Sequence, residues 1–120
     1  MTEKFVLDKT EILDRLGGDE EIFTMMAELF LGDIDGHVMA LDAALSAGDG
    51  VALSREAHTI KGLLATFSDD LGAETAFNIE QQARTGDFNG LPEKVLNLQA
   101  RFKMLAEVLQ QTLGLAEPGG

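Results

Sequence analysis

The chain contains no cysteine, tyrosine or tryptophan, and only two of its 120 residues are proline. Without cysteine there can be no disulfide, no zinc–thiolate site and no thiol nucleophile. A disulfide-free chain suits a reducing cytoplasm, which is the expected location. No apolar run approaches the roughly 20 residues needed to cross a bilayer. No charged, apolar, then small-residue segment opens the chain as a secretion signal would. Bases are scarce as well: 21 acids face 9 bases, a formal charge of −12. Such a surface repels phosphate backbones and anionic lipid, so neither nucleic acid nor a membrane is an expected partner. It favours basic or metal-bearing partners, although a plain solvated surface would look the same.

Several chemistries lack their parts. There is no glycine-rich phosphate loop with its lysine, so no nucleotide site is expected. The two histidines, His37 and His58, lie far apart without His-Glu-x-x-His spacing, which makes a poor metal site. Asp33-Ile34-Asp35-Gly36 resembles the opening of a calcium loop, but position 44, where the closing glutamate belongs, is alanine. No metal and no cofactor are therefore expected. Phe67-Ser68-Asp69-Asp70-Leu71 loosely resembles an acyl-carrier attachment site without its Asp-Ser-Leu order. His37 follows Gly36 on a polar side and reads as solvent-exposed. The five methionines fall mostly at helical core spacing and read as filling.

What is present is helical. Apolar residues make up 45% of the chain, enough for one globular domain. Runs of period two are missing, and runs of period 3.6 are plentiful. A short helix covers about 8–16 and stops at Gly17-Gly18. Asp19 reads as an N-cap, with Glu20 and Glu21 in the favourable first turn. A long helix, or two joined ones, then spans about 19–47, with Gly32 and Gly36 as places for a bend. The stretch 46–50 is a loop, and the next helix spans about 51–67. After a break at Ser68-Asp69-Asp70, a helix over about 70–85 buries Ala73, Ala76, Phe77, Ile79 or Ala83. A turn at 86–90 leads to a last helix with Pro92 in its first turn. Its seam of Leu91, Val95, Leu98, Phe102, Leu105 and Leu109, with Leu113 as a further candidate, is the clearest in the chain. The expected fold is all-α: an antiparallel four-helix bundle with an additional short N-terminal helix, over residues 1–113, and a flexible tail at 114–120.

One stretch stands out for chemistry, Ala57-His58-Thr59-Ile60-Lys61-Gly62. Leu53, Ala57, Ile60, Leu64 and Phe67 form an amphipathic helical period. Ser54, His58, Lys61, Gly62 and Ala65 occupy the neighbouring stripe. A helical side chain leans back over the residue four before it, so position 62 would normally cover His58. Glycine covers nothing, and Ala65 is nearly as small. The imidazole should stand in a shallow notch with an ammonium group one turn away. This suits a histidine that a large partner must reach and that must carry negative charge. On spacing alone, a boundary histidine beside a packing glycine remains an open alternative.

The same residues resemble histidine-containing phosphotransfer (HPt) domains of bacterial two-component phosphorelays. Those domains centre on His-x-x-Lys-Gly, matched by His58, Lys61 and Gly62. Leu13-Asp14-Arg15-Leu16-Gly17-Gly18-Asp19, Leu29-Phe30-Leu31, Ala44-Leu45 through Gly48-Asp49, Leu71-Gly72-Ala73, Ile79-Glu80 and Ala83-Arg84 extend the resemblance over about 5–110. Ser68 stands where the family often has glycine, and Leu71-Gly72-Ala73 comes about four residues late. The resemblance implies that His58 carries a phosphoryl group taken from a receiver-domain aspartate and passed to another receiver. It implies that Lys61 pairs with the phosphoryl oxygens and that Gly62 leaves room for them. Arg84 corresponds to a polar position facing the histidine, with Gln81 and Glu80 as competitors. Ser54, Ala57 and Ala65 would belong to the partner surface. The implied partners are response-regulator receivers and a hybrid histidine kinase, with Mg²⁺ bound on the receiver only. The chain would be a monomeric phosphocarrier and not an enzyme with its own nucleotide site. Two other readings are the phosphoacceptor domain of a chemotaxis-type kinase and a helical adaptor without chemistry.

Overall fold

The computed structural model describes residues 7–114, and these form five helices with no strand among them. They are α1 (Lys9–Arg15), α2 (Glu20–Ala47), α3 (Gly50–Thr66), α4 (Asp70–Arg84) and α5 (Leu91–Thr112). Each boundary falls within one or two residues of its sequence expectation. The starts are chemically explicit. Asp8, Asp19, Asp49 and Asp69 each accept a hydrogen bond from the backbone N–H three residues on, at 3.0–3.1 Å. Such caps are worth about 1 kcal/mol each. α5 instead starts after Gly90, in left-handed conformation, with Pro92 in its first turn.

Packing follows from where the apolar stripes lie. α3 packs on α2 and most extensively on α4, α5 packs on both α2 and α4, and α1 rests on α2. The enclosed core holds Leu53, Ala57, Ile60 and Leu64 of α3, and the whole predicted seam of α5 from Leu91 to Leu109. Four phenylalanines run through it edge to face: Phe23 on Phe67, Phe67 on Phe30, and Phe30 on Phe102 at 4.7 Å. Leu113 is partly buried against this core. The expected tail lies, apart from Gly114, outside the described residues.

Three expectations are corrected, and of the two alternatives for 19–47 the single long helix holds. α2 runs unbroken through Gly32 and Gly36, because its buried residues on either side of them hold it against α3 and α5. Each glycine still costs about 1 kcal/mol of helix propensity. Phe77 is 44% exposed and does not join the core. His37 is half-buried: its Nδ1 lies 2.6 Å from Glu56 Oε1, and its ring stands edge-on to Phe102. Ala57 is completely buried, so it belongs to the core and not to a partner surface.

Two close approaches fix how α3 and α4 meet their neighbours. A Cβ at Gly50 would lie 2.5 Å from the carbonyl oxygen of Ala83, so only glycine lets the first turn of α3 touch the end of α4. At the other end of α4, Asp69 is buried and is gripped by Arg101 of α5 through two bonds of 2.8 and 2.7 Å. A side chain at Gly72 would strike the same carboxylate.

Candidate functional site

α3 and α4 together build one site. His58 projects from the middle of α3 and its side chain is 65% exposed. Facing it from α4 is Glu80, whose side chain is only 5% exposed. The Nδ1 of His58 lies 3.1 Å from Glu80 Oε2. Lys61 Nζ donates to Oε1 at 3.0 Å, and an Arg84 guanidinium N–H donates to Oε2 at 3.3 Å. The Ser54 hydroxyl donates to the backbone carbonyl of Glu80 at 3.1 Å, tying the two helices at the same level.

Burial alone would push the Glu80 carboxyl up. The hydrogen bond and charge of Lys61, followed by those of His58, outweigh that and hold it below its ordinary value of 4.5. Glu80 is therefore an anion at neutral pH. An anionic carboxylate can only accept, so the His58 proton resides on Nδ1. That leaves the Nε2 lone pair unprotonated. A buried acid thus selects the tautomer of an exposed imidazole, and the exposed nitrogen is the nucleophilic one.

The surroundings suit an incoming anion. A groove of about 390 Å³ beside His58 is lined by Val51, Ser54, Arg55, Thr59, Glu80 and Arg84. Three of the chain's nine bases, Arg55, Lys61 and Arg84, stand within one or two helical turns of His58 or Glu80. In so acidic a chain that is a local reversal of charge. Lys61 is held from a second side by the Phe77 ring, 5.0 Å from its ammonium nitrogen. At Gly62 a Cβ would meet nothing within 4 Å, so contact within the described chain does not explain the glycine. The notch over His58 is real space.

The structure brings His58, Lys61, Arg84 and Ser54 together around Glu80. Gly62 and Ala65 are exposed on the same stripe of α3. Gln81 is exposed, one residue further round α4 from Glu80, a rotation of roughly 100°. Glu80, a competitor in the sequence reading, occupies the centre that Arg84 and Gln81 were assigned. Its signal was an acid at a buried position of α4, between Ala76, Ile79 and Ala83. Arg55 and Phe77 also went unassigned. Their place depends on how two helices meet, which spacing along one helix does not encode. No group of three or more acidic or histidine side chains able to hold a metal occurs among the described residues.

An exposed histidine, held by a buried carboxylate and flanked by bases, is an arrangement able to accept a phosphoryl group. The profile of the Hpt domain matches residues 25–112, about three-quarters of the chain. The chain belongs to the Hpt domain family and is a histidine phosphotransfer protein of phosphorelays. Its fold is similar to the crystal structure of histidine-containing phosphotransfer protein B from Pseudomonas aeruginosa PAO1, with a TM-score of 0.79 and 25% sequence identity. That match covers 88% of this chain and 92% of the other. No curated protein sequence matches it significantly.

Proposed function

We propose that His58 is the phosphoacceptor of this domain and that it shuttles a phosphoryl group between receiver-domain aspartates. The observation that carries this is the Glu80 contact: it holds the proton on Nδ1 and leaves Nε2 exposed. The Nε2 lone pair attacks the phosphorus of an aspartyl phosphate in line with the leaving carboxylate. The N–P bond forms as the P–O bond breaks, and the receiver recovers a free aspartate. The Nδ1 proton stays where it was. The ring becomes more cationic as the bond forms, and the Glu80 carboxylate stabilises that charge. Lys61 and Arg84, both within reach of Glu80, are the groups able to turn to the phosphoryl oxygens. The return step is the reverse, with a second receiver's aspartate as nucleophile.

The remaining parts of the reaction belong to the partner. The receiver supplies its acidic cluster and its Mg²⁺, and a hybrid histidine kinase supplies the phosphoryl group upstream. Exposed Gly62 and Ala65 and the half-buried Ser54 form the floor on which the receiver sits. The protein acts as a cytoplasmic monomer without a nucleotide site. Its four long helices form an antiparallel bundle, a reading supported by the short connections and by Gly50 lying against Ala83. Incubation with a panel of phosphorylated receivers tests the proposal. The native chain should take up label, and His58→Gln should take up none while staying folded. Label retained by His58→Gln would remove the assignment.

A further inference from the structure

Arg55 is the base near His58 whose side chain has no partner. Most bases of the described chain are engaged. Lys9 pairs with Glu20, Arg15 donates to Ser68 and to the Thr66 carbonyl, and Lys94 donates to Gln82. Lys61 and Arg84 bind Glu80, and Arg101 grips Asp69. Among the described residues, Arg55 and Lys103 are the bases whose side chains make no hydrogen bond or ion pair. The sequence explains this for Arg55. Its neighbours one turn away on α3 are Val51, Ala52, His58 and Thr59, none of them acidic. Glu56 is next in the chain, but adjacent helical residues do not face each other. Its carboxylate is held by His37, at 2.6 Å.

The groove that Arg55 lines is the one beside His58, of about 390 Å³. Its other hydrogen-bond donors are occupied. The Ser54 hydroxyl donates to the Glu80 carbonyl at 3.1 Å, and the Thr59 hydroxyl to the Arg55 carbonyl at 3.2 Å. Arg84 lies on Glu80 Oε2 at 3.3 Å. Lys61 is held between Glu80 and the Phe77 ring. Nδ1 of His58 faces Glu80 as well, so Nε2 lies on the side of the ring away from that carboxylate and its two bases. The imidazole also leans back toward the turn of α3 that carries Arg55. A phosphoryl group on Nε2 would bring roughly two negative charges to this place.

We propose that Arg55 is a further catalytic residue, whose guanidinium binds the oxygens of the phosphoryl group carried on His58 Nε2. This rests on the assignment of His58 as phosphoacceptor and adds a residue to it. The planar fork of N–H donors matches two phosphoryl oxygens. Arg55 gives and takes no proton and forms no bond of its own. The N–P bond still forms as the P–O bond of the aspartyl phosphate breaks. Lys61 and Arg84 must turn from Glu80 to reach the group, whereas Arg55 has nothing to leave. In a loose, metaphosphate-like transition state each phosphoryl oxygen carries less charge than in the bound dianion. The guanidinium therefore stabilises the phosphorylated state more than the barrier to its loss. It prolongs the phosphohistidine and draws the transfer equilibrium toward His58.

The test labels the full chain from a phosphorylated receiver and reads two quantities. One is the lifetime of the phosphohistidine after the receiver is removed. The other is the equilibrium division of label between His58 and the receiver aspartate. That division depends only on the separated partners, so weaker docking slows its approach without changing its value. Arg55→Gln should shift the division about tenfold toward the receiver and shorten the lifetime about threefold. Arg55→Lys, which keeps the charge without the fork, should fall between this and the native chain. Lys103→Gln removes one positive charge from α5 and should match the native chain in both readouts. All three variants should melt as the native chain does, since neither side chain has a partner to lose.

A native division of label in Arg55→Gln would overturn the proposal. If only the approach to equilibrium slowed, Arg55 would belong to receiver docking instead. An equal shift in Lys103→Gln would also overturn it, because net charge would then be the cause. Failure of the native chain to take label at His58 would remove the phosphoacceptor assignment, and this role of Arg55 with it.

Discussion

At the residue scale the account rests on a division of labour between an exposed base and a buried acid. Glu80 is charged because Lys61 and His58 repay its desolvation, and this has a consequence for stability. Its folded-state value lies below the ordinary 4.5, so the stabilisation it gives is present above that pH. It is lost as the pH falls through the folded value. Glu80→Gln should therefore be less stable than the native chain at pH 7, by about 1–3 kcal/mol. The gap should narrow below pH 4.5 in paired urea melts. The same substitution should lower the Nδ1–H fraction of His58, read from its ring ¹⁵N shifts. A native tautomer ratio in the variant would mean that Glu80 does not orient the ring.

Lys61 and Gly62 separate positioning from access. Phe77→Leu removes the ring under the Lys61 ammonium, an attraction of about 0.5–1 kcal/mol. It should shorten the lifetime of the phosphohistidine, and the effect should vanish when Lys61 is already Met. An undiminished effect without Lys61 would assign Phe77 to something else. Gly62→Ala fills open space and should raise stability by up to about 1 kcal/mol. Gly62→Gln should keep the fold and slow transfer from a receiver. Native transfer rates in that variant would remove the notch from the account.

At the element scale the helices were legible because each is a local object. The aspartate caps, the 3.6-residue periods and the glycine stops lie in consecutive sequence, so the ends of α2 and α4 could be placed closely. The shared stripe of His58, Lys61 and Gly62 was legible for the same reason, since all three lie on one helix. Glu80 lies on another helix, 22 residues from His58, and only the α3–α4 contact makes it a partner. Whether 19–47 forms one helix or two stayed open in the sequence: Gly32 and Gly36 weaken a helix locally, but packing on α3 and α5 keeps α2 continuous.

The exit from α3 makes a further point about elements. Ser68 has φ +62°, the only non-glycine residue with positive φ among those described. The Asp69 N–H closes the end of the helix on the Leu64 carbonyl at 2.9 Å, which requires that turn. A left-handed conformation costs a non-glycine residue roughly 1–2 kcal/mol. Arg15 of α1 offsets part of it, donating to Ser68 Oγ at 2.7 Å and to the Thr66 carbonyl at 2.8 Å. Ser68→Gly should thus stabilise the domain, by less than about 1 kcal/mol because one Arg15 bond is lost. A lower melting temperature would show that the serine hydroxyl outweighs the backbone strain.

At the scale of the whole molecule, an acidic exterior sets off a small basic face around one histidine, and the helical frame keeps that face at fixed geometry. Asp69 and Arg101 are part of this frame, since they join the start of α4 to α5. Arg101→Met would leave a buried carboxylate without its main partner. It should cost about 3–5 kcal/mol, with phosphate uptake by the folded fraction unchanged. Equal melting temperatures for variant and native chain would show that the ion pair does not hold α4 to α5. The central claim is that phosphate enters and leaves through Nε2 of His58 because Glu80 occupies Nδ1. The direct measurement is to load ¹⁵N-histidine-labelled protein from a phosphorylated receiver and to locate the N–P bond by ³¹P–¹⁵N coupling. A single phosphohistidine at His58 Nε2, with none at His37, is the predicted result. Phosphate on His58 Nδ1, or on His37, would contradict it.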